Sequence, residues 1–227
     1  MAEQLGLDLP ARPALGREDF MVAPSNALAL AMIDAWANWD LRKLVLSGPE
    51  GSGKTHLTHV WAADAGARII PAEGLADQSL QDLAQGPVAV EDIPMISQDP
   101  VDQTALFHLH NMLAEANHPL LMTGEAAPNF WNLSLPDLQS RVDAAGHAEL
   151  QPPDDTLLAA VLAKLFADRQ IAPKPNVIQY LVPRIERSFA AAARVVAALD
   201  AQSLAQGKPV GRNMARNMLD NGDIPKE

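Results

Sequence analysis

The chain has 227 residues, carries a formal net charge of −11 and contains no cysteine. Disulfide bonds and thiolate zinc sites are therefore excluded, which agrees with a reducing cytoplasm. The N-terminus shows no secretory signal, and no apolar run approaches the ~20 residues that span a membrane. We expect a cytoplasmic protein without a membrane segment, long enough for one α/β domain and a smaller appendage.

The charge is unevenly distributed along the chain. Residues 1–150 contain 7 basic and 20 acidic residues, a net charge of −13, whereas residues 151–227 contain 10 and 8, a net charge of +2. A dedicated DNA-binding protein usually has a basic surface that matches the phosphate backbone. The acidic balance disfavours direct DNA binding and leaves open only a local patch around Arg212 and Arg216.

The first 150 residues predict alternating strands and helices. Residues 1–19 lack a sustained hydrophobic period and predict a flexible arm, after which Ser25 or Asn26 is the candidate N-cap of a helix over Ala27–Trp36. Strands are predicted at 44–46, 68–70, 88–90 and 119–122, and further helices at 55–61, 78–85 and 102–117. This alternation is typical of a parallel sheet that is covered by helices on both faces.

After Pro152-Pro153 the pattern becomes entirely helical, with helices predicted at 155–169, 176–184, 188–206 and 212–219. We therefore divide the chain into an N-terminal arm (1–19), an α/β domain (20–152) and a small helical domain (153–227).

The segment from Gly48 to Thr55 fits the phosphate-loop pattern G-x-x-x-x-G-K-[ST] between a predicted strand and a predicted helix. Glycines let the backbone wrap so that successive N–H groups and a helix N-terminus face an anion. The lysine would reach the β- and γ-phosphates, and the threonine hydroxyl would bind Mg²⁺. The predicted nucleotide-binding residues here are Gly48, Gly51, Ser52, Gly53, Lys54, Thr55 and His56.

A phosphate loop also needs acidic and polar groups at the ends of neighbouring strands. The strand at 88–90 ends in Glu91, which would orient Mg²⁺ together with Thr55, and in Asp92, which would polarise an attacking water. Thr123 directly follows the strand at 119–122. Because ligands bind at the carboxyl edge of a parallel sheet, its hydroxyl could position the water or contact the γ-phosphate.

Two arginines complete the candidate site. Arg141 follows the last predicted strand, and Arg187 lies in the helical part. Spacing alone favours ordinary surface arginines at both positions.

In order, these segments resemble the DnaA branch of the AAA+ ATPases from about Phe20 to Leu219. Phe20–Ala27 resembles the entry motif near the adenine. Gly48–Thr55 matches Walker A, and Val88–Asp92 matches Walker B with Glu91 where the family usually has Asp. Met122–Glu125 resembles sensor 1, with Thr123 as its polar residue. The resemblance implies an AAA+ fold with a helical lid, bound ADP or ATP, and Mg²⁺.

The same resemblance gives the two arginines roles. Leu138–Val142 resembles the segment with the arginine finger, so Arg141 is the finger candidate. Arg187–Ala190 lies where sensor 2 is expected, so Arg187 would contact the nucleotide from the lid.

Within this family the chain is most similar to the Hda group, the regulatory inactivators of DnaA. It ends after the lid helices, which leaves no room for the DNA-reading domain of DnaA. It begins with a segment similar to the peptides that hold the sliding clamp, in which Gln4 would make hydrogen bonds while Leu5, Leu7 and Leu9 supply the apolar contacts.

The resemblance implies a protein that docks on the DNA-loaded clamp and promotes hydrolysis of the ATP bound to DnaA, reaching DNA only through the clamp. A homodimer or AAA+-type oligomer is expected. Two alternatives stay open. One is an autonomous AAA+ ATPase that loads a helicase, and the other is a DnaA-like DNA-binding module that uses the C-terminal helices.

Overall fold

The computed structural model describes residues 15–221 of the chain. Its centre is a parallel five-stranded sheet with the strand order β2-β3-β4-β1-β5. The strands are β1 (Lys43–Ser47), β2 (Arg68–Pro71), β3 (Val88–Glu91), β4 (Leu120–Gly124) and β5 (Gly146–Glu149). This parallel sheet confirms the predicted fold class.

Five helices accompany the sheet and four follow it. Those of the sheet region are α1 (Ala27–Asp34), α2 (Lys54–Ala65), α3 (Leu80–Leu83), α4 (Pro100–Glu115) and α5 (Pro136–Asp143). Those that follow are α6 (Asp155–Asp168), α7 (Pro175–Leu181), α8 (Phe189–Gln206) and α9 (Arg212–Asn221). Short 3₁₀ turns lie at Arg17–Asp19, Trp36–Asn38, Asp40–Arg42, Leu75–Asp77, Ile93–Ile96 and Pro128–Phe130.

The central strands are buried on both faces, which is why they appear in the sequence as continuous apolar runs. Val45 and Met122 point to the face that is covered by α3, α4 and α5. Their neighbours Leu44 and Leu121 point to the opposite face, where they pack with Leu57 and Trp61 of α2. All five strands of a parallel sheet end at one edge, so the loops after β1, β3 and β4 lie side by side.

The four C-terminal helices have a core of their own. Leu162 and Phe166 of α6 pack against Val196 and Leu199 of α8, and all four side chains are buried. Asp154 accepts a hydrogen bond from the backbone N–H of Leu157 at 2.7 Å and so caps α6.

Two predicted helices and one predicted N-cap differ from the structure. The first helix ends at Asp34, and Trp36 belongs to a separate 3₁₀ turn. The helix predicted at 78–85 is broken, because Gln78 is extended and Ser79 starts the four-residue α3 by capping Asp82. Asn26 does precede α1, but its side chain caps no helical N–H; it accepts from Ala23 instead.

The fifth strand was not predicted, and Arg141 therefore does not follow the last strand of the sheet. It lies on α5, which precedes β5. The strand β5 pairs only with β1, and Ala148 is its one buried residue, so it lacks the apolar run that marks the central strands.

A backbone hydrogen bond and an ion pair join the helical part to the sheet region. The backbone N–H of Phe189, the first residue of α8, donates to the carbonyl of Gly51 at 2.8 Å. Lys164 of α6 pairs with Asp19 at 2.8 Å, which joins the 3₁₀ turn Arg17–Asp19 to the helical part. In the described range of 15–221, none of the helices has the length and apolarity needed to cross a membrane.

Candidate functional site

The loop between β1 and α2 owes its shape to its glycines. Gly51 and Gly53 have φ values of +67° and +102°, in the left-handed region that glycine adopts without a steric penalty. Gly48 is crowded, because a Cβ there would lie 2.7 Å from the carbonyl oxygen of Leu150. The three glycines of the predicted motif are therefore each required by backbone conformation or by space.

Lys54 begins α2 and turns back into this loop. Its Nζ donates to the carbonyls of Gly48 at 2.7 Å and Pro49 at 3.1 Å, and only 9% of the residue is exposed. Burial lowers the pKa of Lys54, and the carboxylates of Asp92, Glu125, Glu50 and Glu91 oppose this shift. The ammonium group is thus held at the centre of the loop, where an anionic ligand would replace the two carbonyl contacts.

Ser52 lies beneath the loop and leaves a hydrogen-bonding group unused. The residue is 2% exposed, and its buried hydroxyl has no hydrogen-bond partner among the residues that the structure describes. An unpaired buried hydroxyl is unfavourable, and it is often satisfied by a ligand or a water. Together with the N-terminus of α2 and Lys54, this arrangement fits a phosphate group.

A cavity of about 780 Å³ extends from the loop to the helical part of the chain. Five of the predicted binding residues line it: Gly51, Gly53, Lys54, Thr55 and His56. Its volume lies within the range of small-molecule and cofactor sites.

Acidic side chains surround the loop end of this cavity. Glu91 and Asp92 line it at the end of β3, as predicted, and the Thr55 hydroxyl interacts with the Glu91 carboxylate. Burial raises the pKa of Glu91, and the negative charge of Asp92 raises it further. A divalent cation between these groups would relieve both effects. No cluster of three acidic or histidine ligands occurs within residues 15–221, so such a cation would need phosphate oxygens as further ligands.

Thr123 is placed differently from the prediction. It lies inside β4, opposite Leu46, and is 1% exposed. Its hydroxyl accepts a hydrogen bond from the backbone N–H of Asp92 at 3.0 Å. Asp92 has a φ of +57°, an unfavourable value for a residue with a side chain. Thr123 therefore supports the backbone of Asp92 and is not among the residues that line the cavity.

Glu125, two residues later, does line the cavity and was missed by the sequence reasoning. The signal was its position, because Glu125 directly follows the end of β4 at the carboxyl edge of the sheet, where ligands bind. Glu125 was missed because the predicted strand at 119–122 ends at Met122, whereas β4 continues to Gly124 in the structure.

The other end of the cavity is largely apolar. Phe20 and His56 form an edge-to-face pair with centroids 5.2 Å apart, and Met21 and Leu165 line the space beside them. Phe189 of α8 packs on Gly53, where a Cβ would lie 3.0 Å from its ring. Apolar and aromatic surroundings of this kind suit the base of a nucleotide.

The two predicted arginines do not line the cavity. Arg187 is exposed and pairs with Asp155 at 2.8 Å, so this conformation gives no support to its predicted contact with a nucleotide. Arg141 is exposed on α5, with its guanidinium 4.9 Å from the centroid of the Phe107 ring. The predicted clamp-binding residues Gln4, Leu5, Leu7 and Leu9 lie outside the described residues.

A phosphate loop after β1, acids after β3 and the strand order β2-β3-β4-β1-β5 together define the AAA+ fold. The fold is similar to that of the corresponding domain of DnaA. Domain III of Thermotoga maritima DnaA matches with a TM-score of 0.82 at 19% identity, over 96% of this chain and 100% of that one. AMPPCP-bound DnaA from Aquifex aeolicus matches with a TM-score of 0.71 at 16% identity, over 86% and 67% of the two chains.

The sequence itself is similar to the chromosomal replication initiator protein DnaA of Cutibacterium acnes, with 24% identity over 196 residues. That alignment covers 76% of this chain and 39% of the DnaA chain, so this chain spans well under half of its relative. No protein-family model matches the chain.

Proposed function

We propose that this chain is a DnaA-related AAA+ protein that binds ADP or ATP with Mg²⁺ in the cavity beside the phosphate loop. Lys54, the backbone N–H groups of the loop and Ser52 would hold the phosphates. Thr55 and Glu91 would hold the cation, which would offset the negative charge that Glu91 and Asp92 bring to this end of the site. The likeness to a DnaA that binds AMPPCP supports this ligand class.

We further propose that the chain acts in the manner of Hda, the regulatory inactivator of DnaA. Docked on the DNA-loaded sliding clamp through the segment with Gln4, Leu5, Leu7 and Leu9, it would promote hydrolysis of the ATP bound to DnaA. DnaA would be left with ADP and could not start another round of replication.

The observation that supports this role is the position of Arg141. Its guanidinium is exposed on α5 and stacks on Phe107, outside the chain's own cavity. An arginine in this position is free to stabilise charge that develops on the γ-phosphate of a neighbouring subunit. Arginine fingers of this type increase hydrolysis by ~10³–10⁵-fold.

The chain's own nucleotide has a structural task in this proposal. It would hold the sheet region and α8 in the arrangement that presents Arg141 to DnaA. Glu91, in the position where the family usually has Asp, is compatible with slow turnover.

The test is hydrolysis of radiolabelled ATP bound to DnaA, compared between wild type and Arg141→Ala. We expect the variant to bind nucleotide normally and to lose the stimulation, because only the finger is removed. Normal stimulation by Arg141→Ala would contradict the assignment. Rapid hydrolysis by this protein alone, with no effect on DnaA, would favour the alternative of an autonomous AAA+ ATPase.

A further inference from the structure

The basic side chains of the helical part fall into two groups. Four of them have acidic partners: Lys164 pairs with Asp19 and Asp168, Arg169 with Asp200, Arg187 with Asp155, and Arg194 with Glu186. The other five have no carboxylate within 4 Å among the described residues, and all five are exposed. These five, which we call the lid basic face, are Lys174, Arg184, Lys208, Arg212 and Arg216.

The five residues come from two segments that pack against each other. Residues 174–184 contain α7, and residues 208–216 contain the start of α9. The backbone N–H of Lys174 donates to the carbonyl of Val210 at 3.4 Å, two residues before Arg212. Arg216 is one helical turn after Arg212 and so lies on the same side of α9.

Tyr180 holds two of the arginines together. The guanidinium of Arg184 lies 4.1 Å from the centroid of the Tyr180 ring, and that of Arg212 lies 5.1 Å from it. Arg184 also donates to the carbonyl of Tyr180 at 3.0 Å. Two planar cations are therefore held against one ring, with no carboxylate among the described residues within 4 Å to neutralise them, although like charges repel and the chain as a whole is acidic.

We propose that the lid basic face binds the phosphate backbone of duplex DNA. Guanidinium groups match phosphate oxygens with two parallel hydrogen bonds, and stacking on an aromatic ring reduces the entropy lost on binding. The arginines occupy the ring of Tyr180, so it is not offered to an unstacked base. The lid basic face consequently contacts the DNA backbone, and the binding is weak and independent of the DNA sequence.

This inference does not depend on the proposed action on DnaA. It revises the expectation that the chain reaches DNA only through the clamp. A protein held on a DNA-loaded clamp would gain from such a contact, because a weak second site acts at a high effective concentration once the first is engaged.

The test is fluorescence anisotropy with a labelled duplex of random sequence and the full chain at several salt concentrations. We expect a Kd on the order of 10⁻⁴–10⁻⁶ M near physiological salt. With about four phosphate contacts, affinity should fall by about 100-fold between 50 and 200 mM salt. The double variant Arg184→Ala/Arg212→Ala should bind the duplex at least about tenfold more weakly. The slope of log affinity against log salt concentration should decrease by an amount that corresponds to about two phosphate contacts.

Three further variants make the test specific. Arg216→Glu changes an exposed residue outside the Tyr180 stack, so it should weaken DNA binding without unfolding the lid. Arg184→Lys/Arg212→Lys keeps the charge and should retain most of the salt dependence. Arg68→Ala removes an exposed arginine from the edge strand β2 and should bind as wild type does.

Either of two results would overturn the proposal. One is the absence of DNA binding by wild type at about 50 mM salt, or equal binding by all variants. The other is that the Arg184, Arg212 and Arg216 variants differ from wild type in self-association, measured by size-exclusion chromatography, and do not differ in DNA binding. That result would mean that the lid basic face contacts the acidic surface of a second copy.

Discussion

At the scale of single residues, Lys54 shows how the site is prepared for a ligand. Its ammonium group is nearly buried and bonds to two carbonyls of the loop, while burial lowers its pKa. A phosphate would exchange these neutral acceptors for a charged one and would add a Coulombic attraction to the ammonium group that a carbonyl does not supply. The free lysine is therefore positioned for the phosphates before they arrive.

We predict that Lys54→Ala weakens ADP and ATP binding by about 100-fold or more, which corresponds to a few charge-assisted hydrogen bonds. Titration with a fluorescent nucleotide analogue measures this. Lys54→Met, which keeps most of the aliphatic stem, should lose as much affinity as the alanine variant. Tight binding by both variants would remove the phosphate-loop assignment.

A second lysine, Lys43, lies at the start of β1 and is 1% exposed. Its Nζ has one hydrogen bond, to the carbonyl of His118 at 3.3 Å. Burial lowers the pKa of Lys43 to about 8, from an ordinary value of 10.5. Between these two pH values the unfolded chain binds more protons than the folded chain, so the free energy of unfolding rises with pH across this window.

We predict that Lys43→Met increases the free energy of unfolding at pH 7 by about 1–3 kcal/mol. The methionine side chain is similar in shape to the lysine stem, and the substitution removes the buried charge. It should also remove most of the rise in stability between pH 8 and pH 10.5. Urea unfolding of both proteins at a series of pH values measures the two effects. A destabilised variant that keeps the wild-type pH dependence would contradict the prediction.

At the scale of elements, the phosphate loop and the N-terminus of α8 are in direct contact. The carbonyl of Gly51 accepts from the N–H of Phe189, and a Cβ on Gly51 would lie 2.6 Å from the Cβ of Ser188. Ser188 is itself the N-cap of α8, accepting from Ala191 at 3.0 Å. A ligand that orders the loop would therefore also hold the first turn of α8.

We predict that Gly51→Ala lowers both the stability of the protein and its affinity for nucleotide, the latter by at least about tenfold. A left-handed alanine alone costs about 1 kcal/mol, and the clash with Ser188 adds to it. Gly66→Ala is the matched control, since Gly66 has a φ of +66° and open space around it. The Gly66→Ala variant should lose only the stability that a left-handed alanine costs, and it should bind nucleotide normally. Equal behaviour of the two variants would show that the contact with α8 has no role.

Sequence patterns located the elements that have a strong local signal. The central strands were predicted because burial on both faces leaves continuous apolar runs, and the loop because its glycines have no conformational substitute. The edge strand β5 was missed because only Ala148 of its residues is buried. Glu125 was missed because assigning it depends on where β4 ends, and strand ends carry little sequence signal.

The placement of long side chains depends on tertiary contacts and was least predictable. Arg187 pairs with Asp155, a residue 32 positions earlier in the sequence, and spacing gives no indication of this contact. Thr123 was identified as a polar residue near the site, yet its contact with the strained backbone of Asp92 appears only in the structure.

At the scale of the whole molecule, the proposed nucleotide site and the proposed finger are separate. The cavity lies between the carboxyl edge of the sheet and helices α6 and α8, whereas Arg141 is exposed on α5 and does not line it. A molecule built this way can bind one nucleotide and act on another that is held by a partner. The proposed action on a nucleotide held by a partner requires this separation.

The most direct measurement is the hydrolysis of radiolabelled ATP pre-bound to DnaA, with the sliding clamp loaded on DNA. It compares wild type with a variant carrying Gln4→Ala, Leu5→Ala and Leu7→Ala. We predict clamp-dependent stimulation by wild type and its loss in the variant, which leaves the cavity and Arg141 unchanged. No stimulation of DnaA by wild type, with robust hydrolysis by the protein alone, would contradict the regulatory role.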